Sequence, residues 1–570
     1  MRQTKRPWLR TGALALTAAL LLSGGAGAAE AAWTAEQRQE DLDTLYTVLE
    51  QSHPDLFANT PEEAFLERKA EIEDRLDTVT DVEFLLDLQS LTALAEDSHT
   101  QLSLNAVAEQ VRFYPMVLTW YDGHWYLTTV EASHADSLGQ EVTAVNGRDM
   151  DAVVEAFSAV LSADNPVKLR RQYRQSCNVA DLYEYVGLAE AGAPLELTLT
   201  GGSLTVEPVS AQELGGVRLA ALGDQIEVRP VTAEREENYW AQALDGGTYY
   251  IQYNACQEDP ELPMETFAAQ VAAELEDGDY RRILVDLRNN GGGSDGVIWP
   301  LLYVLRAAMD GGTAVVGLIV ETTFSSAVIN AVELQEMGAV LAGEPASGSV
   351  DHFGSVGTLR LPNSGAQAGV STKYIDLGTL LDADGGRGVE SLEPDVAVAQ
   401  TMEDTLAGRD SAVEWLLDHP EPLAQKVYPA APLTRGRFVG LLYEAAGEPA
   451  VAETADFSDL LGVEWYLPAV AWASETGVTG GTAAGGFAAA RPLTWQEAAV
   501  FLTRTAQALG LEGEDVRTAP LPEALAAQAW DREALDWAWS RGLLPETADW
   551  SASPTRSQGE AMADAVRSGL

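Results

Sequence analysis

Two serines, Ser325 and Ser326, stand in the stretch ETTFSSAVINAVELQEMG, between an apolar run, AVVGLIV at 314–320, and an amphipathic segment that stops at Gly338. A serine at the start of a helix most often caps it, its hydroxyl accepting a bond from an unpaired backbone amide. The same position carries the positive end of the helix dipole, which favours a developing alkoxide or oxyanion. Position alone therefore leaves a cap and a nucleophile both open. A serine becomes a nucleophile beside a base, and histidine has the pKa for that work near neutrality. Of the six histidines, His53, His99, His124, His134, His352 and His419, only His99 in AEDSHTQL and His352 in SVDHFG lie in loops dense with small polar residues.

A further segment, DLRNNGGGSDG at 286–296, follows an apolar strand and places Gly291, Gly292 and Gly293 in succession. Glycine takes up positive φ and lets backbone amides approach a ligand. Donors preorganised in this way toward a developing negative charge are worth ~2.7–4 kcal/mol each. The lysine of a phosphate-binding loop is missing, which argues against a phosphate cradle. A plain strand-to-helix turn is the alternative reading.

These segments need a scaffold to bring them together. From about residue 236 the chain alternates strand and helix patterns (GGTYYIQYNA, FAAQVAAELE, RRILVDLR, VIWPLLYVLRAAM, AVVGLIV), the order of an α/β layer fold, and SAVEWLLDH closes it. Residues 33–105 carry helical periodicity, with Leu42, Leu45, Tyr46 and Leu49 on one face and a second helix through FLLDLQSLTAL, ending at the AEDSHT loop. Residues 112–225 switch to strand-like alternation, with a tight turn at Asn146 and Gly147 and a short helix in DMDAVVEAF. After a KVYPAAP linker, one theme returns three times, at Thr434, Thr494 and Thr555, the mark of an all-α array of stacked repeats.

With 570 residues and 46% apolar composition the chain is multidomain and globular. Its 87 acidic against 35 basic residues give a formal charge of −52, which repels nucleic acid and anionic lipid and reads as an acidic solvated surface. Residues 1–31 read as a secretory signal peptide: four basic side chains, an apolar run and small residues at A-x-A spacing. The apolar run is shorter than the ~20 residues a spanning helix needs, and no cysteine follows it, so no membrane anchor is expected once it is removed. Cys177 and Cys256 form either one bridge or two buried thiols.

Taken in order and spacing, DLRNNGGG, TFSSA, GEPASG, LPNSG and SLEPD resemble the serine peptidase family that includes the C-terminal-processing (tail-specific) proteases and the tricorn core protease, over about residues 33–420. The resemblance implies a crotonase-like α/β protease core at 236–422, a helical N-terminal unit at 33–105 and a PDZ-like β-rich module at 106–232. It places the nucleophile at Ser325, with the Ser326 amide and one from Gly291, Gly292 or Gly293 as the oxyanion donors. The family's lysine base falls where this chain has Ser349. Of the five lysines (Lys5, Lys69, Lys168, Lys373, Lys426) only Lys373 lies within 236–422, off the expected position. The tricorn-like branch draws a histidine from the N-terminal region, which implies His99 as the base with Ser98 as its neighbour. Asp97 or Glu390 then orients the ring, and His352 stands in reserve. No metal or organic cofactor is implied.

The repeats at 432–570, with FSDL, GVTGG and the TR and TW motifs, resemble S-layer homology domains. That resemblance implies binding of cell-wall polysaccharide through Thr434, Arg435, Thr494, Thr555 and Arg556, although Trp495 replaces the second arginine and the third motif lacks its glutamate. A dimerising helical array is the alternative. The sequence as a whole reads as an exported, wall-associated serine endopeptidase acting on peptide or protein substrates. The competing readings are a degenerate core that binds peptide or wall material without turnover, and a wall adhesin.

Overall fold

The structure, a computed structural model, describes residues 32–570 except 227–228, 234–235, 376, 378–390, 425–431, 452–454, 456, 459, 461–465, 484, 490, 524–530 and 547–548. The signal segment 1–31, Glu390 and nearly all of the linker lie outside the described residues. No described helix is long and apolar enough to cross a membrane.

The chain enters through helices α1 (Ala35–Ser52), α2 (Glu62–Glu73) and α3 (Asp81–Ala93). Thr34 and Thr80 start α1 and α3 with capping boxes, each hydroxyl receiving the amide three residues on while a Gln37 or Glu83 side chain returns the bond. The 97–100 loop leads into a short strand, β1 (Gln101–Leu102). Next come β2 (Met116–Tyr121) and β3 (His124–Glu131), an antiparallel pair, and β4 (Val142–Val145), which turns back at Asn146 and Gly147 with φ of 48° and 75°.

The strand reading of 112–225 then fails in part, because α4 (Pro166–Ser176) intervenes before β5 (Leu195–Leu199) and β6 (Gly202–Val206). Asn165 caps α4 and Pro166 opens it, a local start signal that outweighs the surrounding strand pattern. The helical unit and the β-rich segment share one hydrophobic core, in which Leu42, Leu45, Phe84 and Leu88 join Phe113, Leu118, Tyr173 and Leu197.

A six-stranded sheet follows: β7 (Tyr239–Leu244), β8 (Thr248–Tyr253), β9 (Arg282–Asp286), β10 (Ala314–Ile319), β11 (Val340–Gly343) and β14 (Val396–Ala397), in that spatial order. β7 runs antiparallel to β8 and the remaining pairs are parallel. The crossovers are α5 (Met264–Asp277), α6 (Trp299–Asp310) and α7 (Ser326–Glu336). Alternate strand residues serve opposite faces. Ile283 and Val285 pack with α5 and α6, whereas Leu284, Val316 and Leu318 pack against α8 (Ser411–Asp418). The loops leaving the carboxyl ends of β9, β10 and β11 are the glycine run, the paired serines and the GEPASG segment, the edge at which open α/β sheets hold ligands.

Between β11 and β14 a hairpin, β12 (His352–Arg360) and β13 (Gln367–Ile375), leaves the sheet, and β1 pairs with it, Gln101 lying opposite Gly369. That pairing, with the Ser103 amide donating to the Gln367 carbonyl at 2.8 Å, draws the 97–103 segment of the N-terminal unit onto the core. The last part holds α9 (Arg435–Ala445), α10 (Leu467–Glu475), α11 (Trp495–Leu509), α12 (Arg532–Ser540) and α13 (Arg556–Arg567) around their own core of Phe438, Trp472, Phe501 and Trp550.

Candidate active site

Ser325 occupies the turn from β10 into α7 with φ 54° and ψ −129°. A non-glycine residue at such angles costs ~1–3 kcal/mol and persists only where its surroundings over-determine it. Here the segment after β9 does so: the Phe324 amide donates to the Asn290 carbonyl at 3.1 Å, and the Thr323 hydroxyl donates to the Leu287 carbonyl at 3.0 Å. Ser325 sits at the N-cap position of α7, yet its hydroxyl makes no capping bond. Ser326 is buried, and its hydroxyl donates to the Gly293 carbonyl at 2.8 Å.

The glycine run lies directly against this turn. At Gly292, φ 102°, an added methyl would sit 2.7 Å from Ser325 Cβ and 3.1 Å from the Ser326 nitrogen. Gly348 of the GEPASG segment also touches the turn, since a methyl there would lie 3.3 Å from the Ser325 nitrogen. The Gly292 amide donates to Asn290 Oδ1 at 2.9 Å. Among the described residues, no hydrogen bond engages the amides of Gly291, Gly293 or Ser326.

His99 reaches the same place from the N-terminal unit. Its ring stacks on Phe324, the residue before Ser325, at 4.5 Å between centroids, and lies nearly parallel to His352 at 5.4 Å. Both ring nitrogens of His99 are buried and unpartnered among the described residues. Burial pushes its pKa down to about 4; the Asp97 charge opposes this, while His352 and Lys168 push the same way. The imidazole is therefore neutral near pH 7.

Asp97 is engaged elsewhere. Its Oδ1 accepts the His99 backbone amide at 2.9 Å, and its Oδ2 accepts the Thr100 hydroxyl at 2.5 Å. His53 Nε2 lies 3.3 Å from that second oxygen, and His53 Nδ1 accepts the Asp55 amide, so Nε2 carries the proton and donates. Burial favours the neutral acid, but bonds from His53, Thr100 and the His99 amide hold the carboxyl below its usual range. Asp97 Oδ1 stands 4.0 Å from His99 Nδ1, beyond hydrogen-bond reach but close enough to favour a positive ring.

His352 Nδ1 faces the carbonyls of Ser349 at 2.9 Å and Val350 at 3.3 Å. Carbonyls only accept, so Nδ1 carries the proton and Nε2 keeps its lone pair. That Nε2 has no partner among the described residues.

Ser98 is occupied by Asp164: its hydroxyl donates to the carboxylate and accepts the Asp164 amide at 3.3 Å. Burial raises Asp164 to about 6, against the Ser98 bond and the Lys168 charge. The orienting role considered for Glu390 falls outside the described residues.

Counting lysines within 236–422 leaves out Lys168, which the fold brings to the paired-serine turn. Lys373 lies on β13 opposite Gly354. Lys168, on α4, has its Nζ 3.3 Å from the centroid of the Phe324 ring, and Arg171 lies 5.6 Å from the same ring. Asn165 ties the start of α4 to the loop holding Ser349, donating to the Ser347 carbonyl at 3.0 Å and the Ser349 hydroxyl at 2.9 Å. The available signal was VKLRRQYRQ, a dense basic run in a strongly acidic chain.

The repeat residues have packing roles. Thr434, Thr494 and Thr555 are the N-caps of α9, α11 and α13, each accepting an amide from the third residue on. Arg435 is buried and donates to the Phe487 carbonyl at 2.9 Å and to Glu497 at 3.0 Å. Arg556 pairs with Glu336 at the end of α7. Cys177 and Cys256 are separate buried thiols.

Residues 456–499 match the S-layer homology domain family. No curated protein matches the chain. Among solved structures, mature CPAF is 14% identical at a TM-score of 0.48, covering 68% of this chain and 99% of its own. The photosystem II D1 C-terminal processing protease is 14% identical at 0.32, covering 67% and 96%. A putative peptidase from Parabacteroides merdae is 15% identical at 0.33, covering 67% and 96%. The chain is thus similar to solved structures that include a C-terminal processing protease, and it carries an S-layer homology domain within residues 432–570.

Proposed function

We propose that this protein is an exported serine endopeptidase, with a crotonase-like core and a PDZ-like module, held at the bacterial cell wall by its S-layer homology repeats. The observation that carries the reading is Ser325: a serine at a helix start that is bent into a strained conformation, does not cap, and is packed against Gly292 with the ring of His99 over its neighbour Phe324.

In the reaction, His99 accepts the Ser325 hydroxyl proton as the oxygen attacks a peptide carbonyl. The Ser326 amide and a free amide of the glycine run receive the oxyanion. Asp97, not bonded to the ring but 4.0 Å from it, stabilises the imidazolium that forms. The imidazolium returns its proton to the leaving amine, and water, deprotonated by the same ring, releases the acyl group. The neutral state of His99 suits a base, while its low pKa makes protonation uphill, so the oxyanion that develops beside the ring and the Asp97 charge must stabilise the imidazolium.

A second reading, a peptide- or wall-binding protein without turnover, is favoured by one observation: both His99 nitrogens are unpartnered, so neither is bonded to Ser325 in this state. A fluorophosphonate probe separates the two. The peptidase reading expects a covalent adduct at Ser325 that disappears in Ser325→Ala and is slowed in His99→Gln. An unlabelled native protein would overturn the peptidase reading and leave the binding-only one.

A further inference from the structure

Two cavities, of 350 Å³ and 530 Å³, meet at Phe324, the residue before Ser325, and also share Gln89, Leu102 and Leu161 among their walls. The chain carries 87 acidic residues, yet no Asp or Glu is among the described residues lining either cavity. The two charged residues that line the smaller one are both cationic: Lys168 and Arg171, one turn apart on α4.

The other two cations of the same helix share one carboxylate, Arg174 pairing with Glu321 at 2.7 Å and Arg170 lying 3.7 Å from it. Among the described residues, no carboxylate lies within ion-pair distance of Lys168 or Arg171; Asp164 and Asp97 act on Lys168 only from further off, although Lys168 is just 6% exposed. Polar atoms in the same wall, Arg171 Nε, Gln172 Oε1 and Ser162 Oγ, are buried and unpartnered. Buried, unpaired charge and unmet polar groups are costly, and the cost is recovered when a ligand of opposite charge enters.

We propose that this cavity is a specificity subsite that receives the carboxylate of an acidic side chain of the substrate, between Lys168 and Arg171. The larger cavity, walled by Leu104, Val111 and Leu182, takes an apolar neighbour. Occupation beside Phe324 would set the peptide in register with Ser325. The inference rests on the peptidase reading for the ligand being a peptide, but its test is a binding measurement that requires no turnover.

The test uses the full Ser325→Ala chain and two acetylated, amidated octapeptide pools, randomised except for a fixed central Glu in one and Gln in the other. Fluorescence anisotropy should show the Glu pool binding about tenfold tighter, the size of one charge-assisted contact. The advantage should shrink to within about twofold in Arg171→Gln. Lys168→Met is the second variant, and the thermal midpoints of both verify folding. Equal affinity for the two pools overturns the proposal. So does a preference that appears only in pools with a free C-terminus, which would assign the cations to the chain end. Failure of probe labelling at Ser325 would sink catalysis alone, leaving this comparison to judge the subsite.

Discussion

The ring of His99 lies over Phe324, 4.5 Å between centroids and 21° from parallel, so a residue from the N-terminal helical unit rests on the immediate neighbour of Ser325. The contact depends on β1 pairing with β13, because Gln101 opposite Gly369 fixes how far the 97–100 loop reaches across the sheet edge. His352, first residue of β12, is held beside it by the same hairpin.

Two imidazoles this close require a choice. His99→Gln is expected to lower the rate of Ser325 labelling by about 10³-fold or more, the scale of a lost catalytic base. His352→Gln should cost about tenfold or less, through repacking and loss of its charge effect on His99. Single-turnover labelling rates settle the assignment, and the reverse ranking would make His352 Nε2 the base.

Strain at Ser325 gives a separate prediction. Glycine tolerates its φ of 54° and ψ of −129°, so Ser325→Gly should raise the stability of the core by about 1 kcal/mol while abolishing labelling. Ser325→Ala should abolish labelling without that gain. The midpoint of the core transition in urea reads the difference. If glycine and alanine behave alike, the conformation is not strained.

The proposed subsite should also respond to pH. Burial and the Arg171 charge bring Lys168 down to about 7, against the pull of Asp164 and Asp97, with His99 nearby. A bound carboxylate raises that pKa, so the complex holds a proton that the free protein loses above pH 7. Affinity for the Glu pool should therefore fall as pH rises from 7 to 9, by up to about tenfold per unit until the bound pKa is passed. Below about 6 Asp164 is protonated and stops competing for Lys168. The Gln pool and the Lys168→Met variant should be nearly flat over the same range.

At the far end of α7, Glu336 holds Arg556, and the Arg437 guanidinium donates to the Glu336 carbonyl at 2.8 Å. If Arg556 also serves polysaccharide, as the repeat motif implies, docking and wall binding compete for one guanidinium. Glu336→Gln should then increase retention on purified cell walls about two- to tenfold, as expected for losing one charge-assisted competitor, and lower the stability of the docked repeats. Unchanged retention would assign Arg556 to docking alone.

Much of this was readable from local pattern. The apolar run 314–320, the serine pair and the glycine run fall at strand ends because strand and helix periodicities alternate from 236 onward, and the three threonines announced helix starts through their side chains. The helix at 166–176 was also announced locally, by Asn165 and Pro166, but was masked by the strands around it.

What the sequence by itself determined was the set of elements and the candidate chemistry, because periodicity, caps and turn residues act over a few positions. Only the tertiary structure decided which groups share a site. Strand pairing carried His99 to Phe324, while core packing laid Lys168 and Arg171 over the same ring and turned Ser98 toward Asp164. Those placements come from hydrogen-bond register and side-chain packing between segments 66 or more residues apart, a separation at which spacing along the chain carries no geometric information.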